Sequence, residues 1–64
     1  MLDPFAVYAR GEAALRKQLA ALSASHLRVI VRAFELTAPT VDVEAMLRPE
    51  LIALIVAATR ARAA

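Results

Sequence analysis

Between Leu22 and Val56 the apolar residues fall into two facing sets. Leu27, Ile30, Val31 and Phe34 recur at intervals of three and four, which puts them on one side of a helix, with Arg28, Arg32 and Glu35 on the other. Leu51, Ile52, Ile55 and Val56 repeat the pattern further along the chain. Between the two sets, Thr37-Ala38-Pro39-Thr40 breaks the first helix, because proline disfavours helical geometry in the residue before it. Asp42 is placed to cap a single turn through Met46 and Leu47. Pro49 then opens the last helix in its first turn, where its missing N–H costs nothing, and Glu50 sits at the positive end of the helix dipole. That helix is expected to run to about Arg62, with Ala61 to Ala64 fraying. The result is a core unit over residues 22–62, two helices joined by an irregular connection.

The pattern before Leu22 reads as support. Asp3 followed by Pro4 is a helix-start signature, and a short helical segment carrying Phe5 and Tyr8 follows. Gly11 marks a kink or break. Beyond it Leu15, Leu19 and Leu22 keep helical spacing, and Glu12 stands four residues before Arg16, the spacing of a helical ion pair. Ser23 is the N-cap expected for the first core helix, with Leu22 and Leu27 stapling its start. Neither an internal repeat nor a sustained heptad is present. The pattern therefore predicts an all-α fold, a single small bundle of about three helices in which residues 1–21 form a supporting segment.

Composition adds a question of burial. The chain has 64 residues, 61% of them hydrophobic, and no cysteine. A core this small rarely supplies more than about 3–5 kcal/mol, and disulfides or thiolate metal sites are excluded. The last helix is apolar nearly all round through Leu51, Ile52, Leu54, Ile55 and Val56, and such a helix is normally buried. Its full burial is expected to need a second copy or another protein, with Leu51, Leu54, Ile55 and Tyr8 at that interface. The run Leu51 to Ala58 is far shorter than the roughly 20 residues that cross a bilayer, and Met1 to Phe5 lacks the basic start of a signal peptide. A soluble, cytoplasmic protein without a membrane span is expected.

Eight Lys and Arg against six acids give a net charge of +2, which admits nucleic acid as a partner without requiring it. No chemistry of catalysis is visible. His26 is the lone histidine and has no second ligand type beside it, and Ser23 and Ser25 lack an orienting carboxylate and an oxyanion-forming glycine loop. The chain is read as a non-enzyme without cofactor or metal.

The order of a leucine-bearing helix, an irregular connection and a helix opening LRPELIALIV resembles the helix–extension–helix module of SAP domains and of the Rho termination factor amino-terminal domain. The stretch DPFAVYARGEAALRKQLAALSASHLRVIVRAFEL with that last helix is also similar to a group of short bacterial proteins of unassigned role. SAP-like modules generally bind DNA or RNA, and the resemblance implies that Arg28, Arg32 and Arg48 face phosphate. The first expectation for function is thus nucleic-acid binding through a modest basic helix surface. The alternative is a protein-interaction or homo-oligomerisation module using the apolar last helix, a class that the acidic connection through Asp42 and Glu44 also favours.

Overall fold

Side-chain oxygens accept from backbone N–H groups at the start of every helix but the one after Gly11, which has no side-chain cap. The computed structural model describes residues 1–63 and contains α1 (Pro4–Tyr8), α2 (Glu12–Ala20), α3 (Ala24–Ala33), a 3₁₀ turn (Val43–Ala45) and α4 (Arg48–Ala63). Asp3 Oδ1 accepts from the N–H of Phe5 at 2.9 Å and of Ala6 at 3.4 Å. Ser23 Oγ accepts from the N–H of His26 at 3.2 Å, and Asp42 Oδ1 from that of Glu44 at 3.1 Å. At α4 the capping carboxylate comes from inside the helix: Glu50 Oε1 accepts from the N–H of Leu47 at 2.7 Å, the reciprocal half of a capping box. Helix α4 thus starts at Arg48, one residue ahead of the expected proline, and stays helical through Ala63; the expected fraying at Ala64 lies outside the described residues.

Gly11 does break the chain, with φ +115° and ψ 150° in a region that only glycine occupies readily. The end of α3 is a Schellman motif. The N–H of Leu36 donates to the Val31 carbonyl at 3.0 Å and that of Glu35 to the Arg32 carbonyl at 3.3 Å, while Glu35 itself adopts φ +50°. Leu36, just beyond it, is buried and draws the start of the connection onto the core.

The fold is all-α, as the pattern predicts, with α4 at its centre. Helices α1, α2 and α3 each pack against α4, and α1 also packs on α2. Leu15 and Leu19 from α2, Leu27, Ile30 and Val31 from α3, Leu36 and Val43 from the connection, and Leu51, Ile55 and Val56 from α4 form one buried cluster. Phe5 and Phe34 close one end of it, their rings tilted by 58° with centroids 6.0 Å apart.

This arrangement corrects the expected interface. Leu51 and Ile55 are fully buried within the single chain, and Leu54 and Tyr8 are half-buried against the same cluster. Three neighbours from its own chain cover Leu51, Ile55 and Val56 of α4, so the burial of these residues takes no second copy. Between its exposed ends, α4 leaves to solvent a stripe of Ala53, Ala57, Arg60 and Ala61. Among the described residues no helix is long and apolar enough to cross a membrane.

Candidate binding surface

An arginine on a helix surface carries five N–H donors on a long stem, and those donors turn to whatever acceptors lie within reach. In this chain the nearest acceptors for three such arginines are backbone carbonyls at a helix end and along the connection. Arg28, half-buried on α3, donates from Nε to the Val43 carbonyl at 3.1 Å and from Nη2 to that of Met46 at 3.3 Å, and its Nε lies 3.6 Å from a carboxylate oxygen of Glu44. Arg32, one turn on and exposed, donates from Nη2 to the Val41 carbonyl at 3.0 Å. Arg48 reaches back from the start of α4, with Nε 2.8 Å from the Leu22 carbonyl and Nη2 bonded to the carbonyl of Ala20 at the end of α2. Of the residues expected to face phosphate, Arg28 and Arg32 therefore line one seam, where the connection runs back antiparallel to α3, Arg48 lies apart from it at the end of α2, and each spends donors on the chain itself.

Three further arginines also turn to the chain itself. Arg62 donates from Nη1 to the Phe34 carbonyl at 2.9 Å and from Nη2 to that of Glu35, which caps the end of α3. Arg60 meets Glu12 Oε1, with Nη2 at 2.8 Å, while Arg16 meets Oε2 of the same carboxylate at 3.2 Å. Both arginines of the last turn of α4 thus reach groups on other elements. The Arg16 hydrogen bond, with the charge and hydrogen bond of Arg60, holds the Glu12 carboxyl below its ordinary value, against some loss of solvation.

Beside the seam lies a groove of about 510 Å³, lined by Ser25, Arg28, Val29, Arg32, Ala33 and Glu44. Its floor is the face of α3 that points away from the core, and Val29 stands there 53% exposed. A second hollow of about 370 Å³ shares Ser25 and Val29 and extends past His26 to Met1. The two make one continuous shallow surface, apolar along Met1, Val29 and Ala33, with guanidiniums on one bank and serine and imidazole on the other. The structure thus brings Arg28 and Arg32 together at one surface and leaves Arg48 at a different corner.

Val29 escaped the sequence reading because it lies outside the stripe of Leu27, Ile30, Val31 and Phe34. Its offset was the available signal. At about 100° per residue it falls nearly opposite Leu27, where a β-branched aliphatic residue meets water. Among the described residues no group of three or more His, Cys, Asp or Glu side chains is close enough to hold a metal ion, and His26 is exposed in the first turn of α3. No family model, no curated protein and no solved structure matches the chain.

Proposed function

We propose that the chain is a non-enzymatic protein-interaction module whose working surface is the outer face of α3. The observation that carries this reading is Val29, exposed on the floor of a groove while the apolar residues of α4 are drawn inward. A lone exposed valine is ordinary. One that joins two adjoining hollows, flanked by Ala33 and Met1 and banked by charged side chains, has the make-up of an interface, apolar at its centre and polar at its rim. The bundle behind it is a rigid support, since Arg28 and Arg32 pin the connection to α3. Photo-crosslinking in cells tests the reading. A photoreactive residue in place of Val29 is expected to give a discrete protein adduct, while one in place of Ala53, on the solvent face of α4, gives none. Equal adducts from both positions, or adducts from position 29 that nuclease removes, would refute it.

Nucleic-acid binding is the second reading, favoured by Arg32 and Arg48, which are exposed and have no carboxylate partner among the described residues. It ranks second on magnitude. Each phosphate contact contributes a slope of about −0.9 to the salt dependence of affinity, and strong binding at physiological salt rests on many such contacts. Here two guanidiniums at separate corners, already hydrogen-bonded to carbonyls and near Asp42, Glu44 and Glu50 in sequence, offer few. A titration of labelled duplex and single-stranded DNA and RNA is expected to show binding at low salt that vanishes at physiological salt. Retention at physiological salt, lost on replacing Arg32 and Arg48, would reverse the ranking.

A further inference from the structure

The chemistry of the groove narrows what fits in it. Two guanidiniums stand on the bank against one carboxylate, and that carboxylate, on Glu44, is 78% exposed and 3.6 Å from Arg28, too far for a hydrogen bond. Arg32 uses Nη2 on the Val41 carbonyl, is exposed beside the groove, and has no carboxylate partner among the described residues. The floor between Val29 and Ala33 is small and apolar. A ligand that satisfies both parts carries an aliphatic side chain and, beside it, negative charge.

We infer that the occupant of the α3 groove is a short acidic peptide segment of a partner protein, an aliphatic side chain seated on Val29 and Ala33 and a neighbouring carboxylate held by Arg32. This rests on the reading of the α3 face as a protein-docking surface and names the chemistry of its partner. Charge complementarity carries it: a carboxylate finds in Arg32 a fixed, planar donor pair, already oriented by its bond to the connection, so little freedom is lost on binding. Phosphate would meet the same guanidinium, but a nucleic-acid backbone brings no aliphatic group for Val29. Glu44 acts as the internal competitor. Its loosely held carboxylate lowers the positive potential of the bank, and removing its charge strengthens the binding of an acidic ligand.

A random peptide library displayed on phage, panned against the folded protein, tests the assignment. Peptides whose binding is lost with Val29→Glu and with the bulkier, neutral Ala33→Gln, two variants at exposed positions, occupy the groove; circular dichroism confirms that both variants remain helical. These peptides are expected to be rich in Asp and Glu next to Leu, Ile or Met. A representative synthetic peptide should bind Arg32→Gln about threefold more weakly and Glu44→Gln about threefold more tightly than the parent, the scale of one partly exposed ion pair. Arg32→Lys keeps the charge without the planar fork and is expected to recover part of the loss, so the change in Arg32→Gln reports charge rather than loosening of the connection. Groove-binding peptides that are neutral or basic, or indifferent to both changes, would overturn the acidic assignment and leave the α3 surface standing. A library that yields no peptide sensitive to position 29 would overturn both. A thymidine dodecamer that displaces the peptides at physiological salt would make the occupant nucleic acid, and a dimer in sedimentation equilibrium that Val29→Glu dissolves would make it a second copy.

Discussion

At Thr59 a hydroxyl is fully buried in α4 with no hydrogen-bond partner among the described residues. Desolvating a hydroxyl without replacing its bond to water costs about 1–3 kcal/mol. Thr59→Val keeps the shape and removes the group, and is expected to raise the unfolding free energy by about 1 kcal/mol in a urea titration; a loss of stability would mean that the hydroxyl has an acceptor. Glu35 is a second point of stored cost. Holding a residue with a β-carbon in the left-handed region costs about 1–2 kcal/mol, and glycine is the usual occupant of this position in a Schellman motif. Glu35→Gly is expected to stabilise the fold by about 0.5–1 kcal/mol, part of the gain being offset by the freer unfolded chain. Local chemistry of this kind was only partly legible in the sequence. Asp3, Ser23, Asp42 and Gly11 announce themselves, because a cap or a positive φ needs a particular residue type. Glu35 does not, because its conformation is imposed by Leu36 going into the core.

At the scale of elements, α4 holds the ends of two other helices through arginines at its own two ends. Arg48 bonds the carbonyls of Ala20 and Leu22 after α2, and Arg62 those of Phe34 and Glu35 after α3. The last carbonyls of a helix have no partner within it, and a guanidinium supplies both donors and the positive charge that the dipole favours there. Arg62→Ala is expected to lower stability by about 1 kcal/mol and to speed hydrogen exchange at the Phe34 and Leu36 amides while leaving α2 unaffected; Arg48→Ala should do the reverse, loosening the end of α2. Lysine at either place should recover less than half the loss, since one ammonium does not reproduce a planar fork across two carbonyls. None of this was legible in the sequence. The pattern places Arg48 and Arg62 on a helix surface, but which carbonyl lies within reach of a long side chain depends on how helices far apart in the chain are brought together.

For the molecule as a whole, the question is what holds four short helices together without staples. The first answer is α4, against which the other three pack. Ile55→Ala removes about 2–5 kcal/mol in a chain whose core supplies about 3–5, so the variant is expected to be unfolded by circular dichroism at room temperature. Ile55→Glu, which buries a charge as well, is therefore a folding variant and says nothing of assembly. The second answer is electrostatic and can be read through pH. Glu12 at the start of α2 joins Arg16 on its own helix to Arg60 on α4, and its carboxyl is held below the ordinary value in the folded state. A carboxyl that binds its proton more weakly when folded stabilises the fold while it is ionised. That contribution is complete above the unfolded-chain value of 4.5 and fades as the pH falls through the lower folded value. Stability measured by urea unfolding is therefore expected to decline as the pH is taken below 4.5. In Glu12→Gln the neutral-pH stability should be lower and the acid decline shallower, so that the two curves converge at low pH. Coincident curves would show that the Arg16–Glu12–Arg60 bridge contributes nothing to the docking of α2 on α4, and that this pair of helices is held by apolar packing alone.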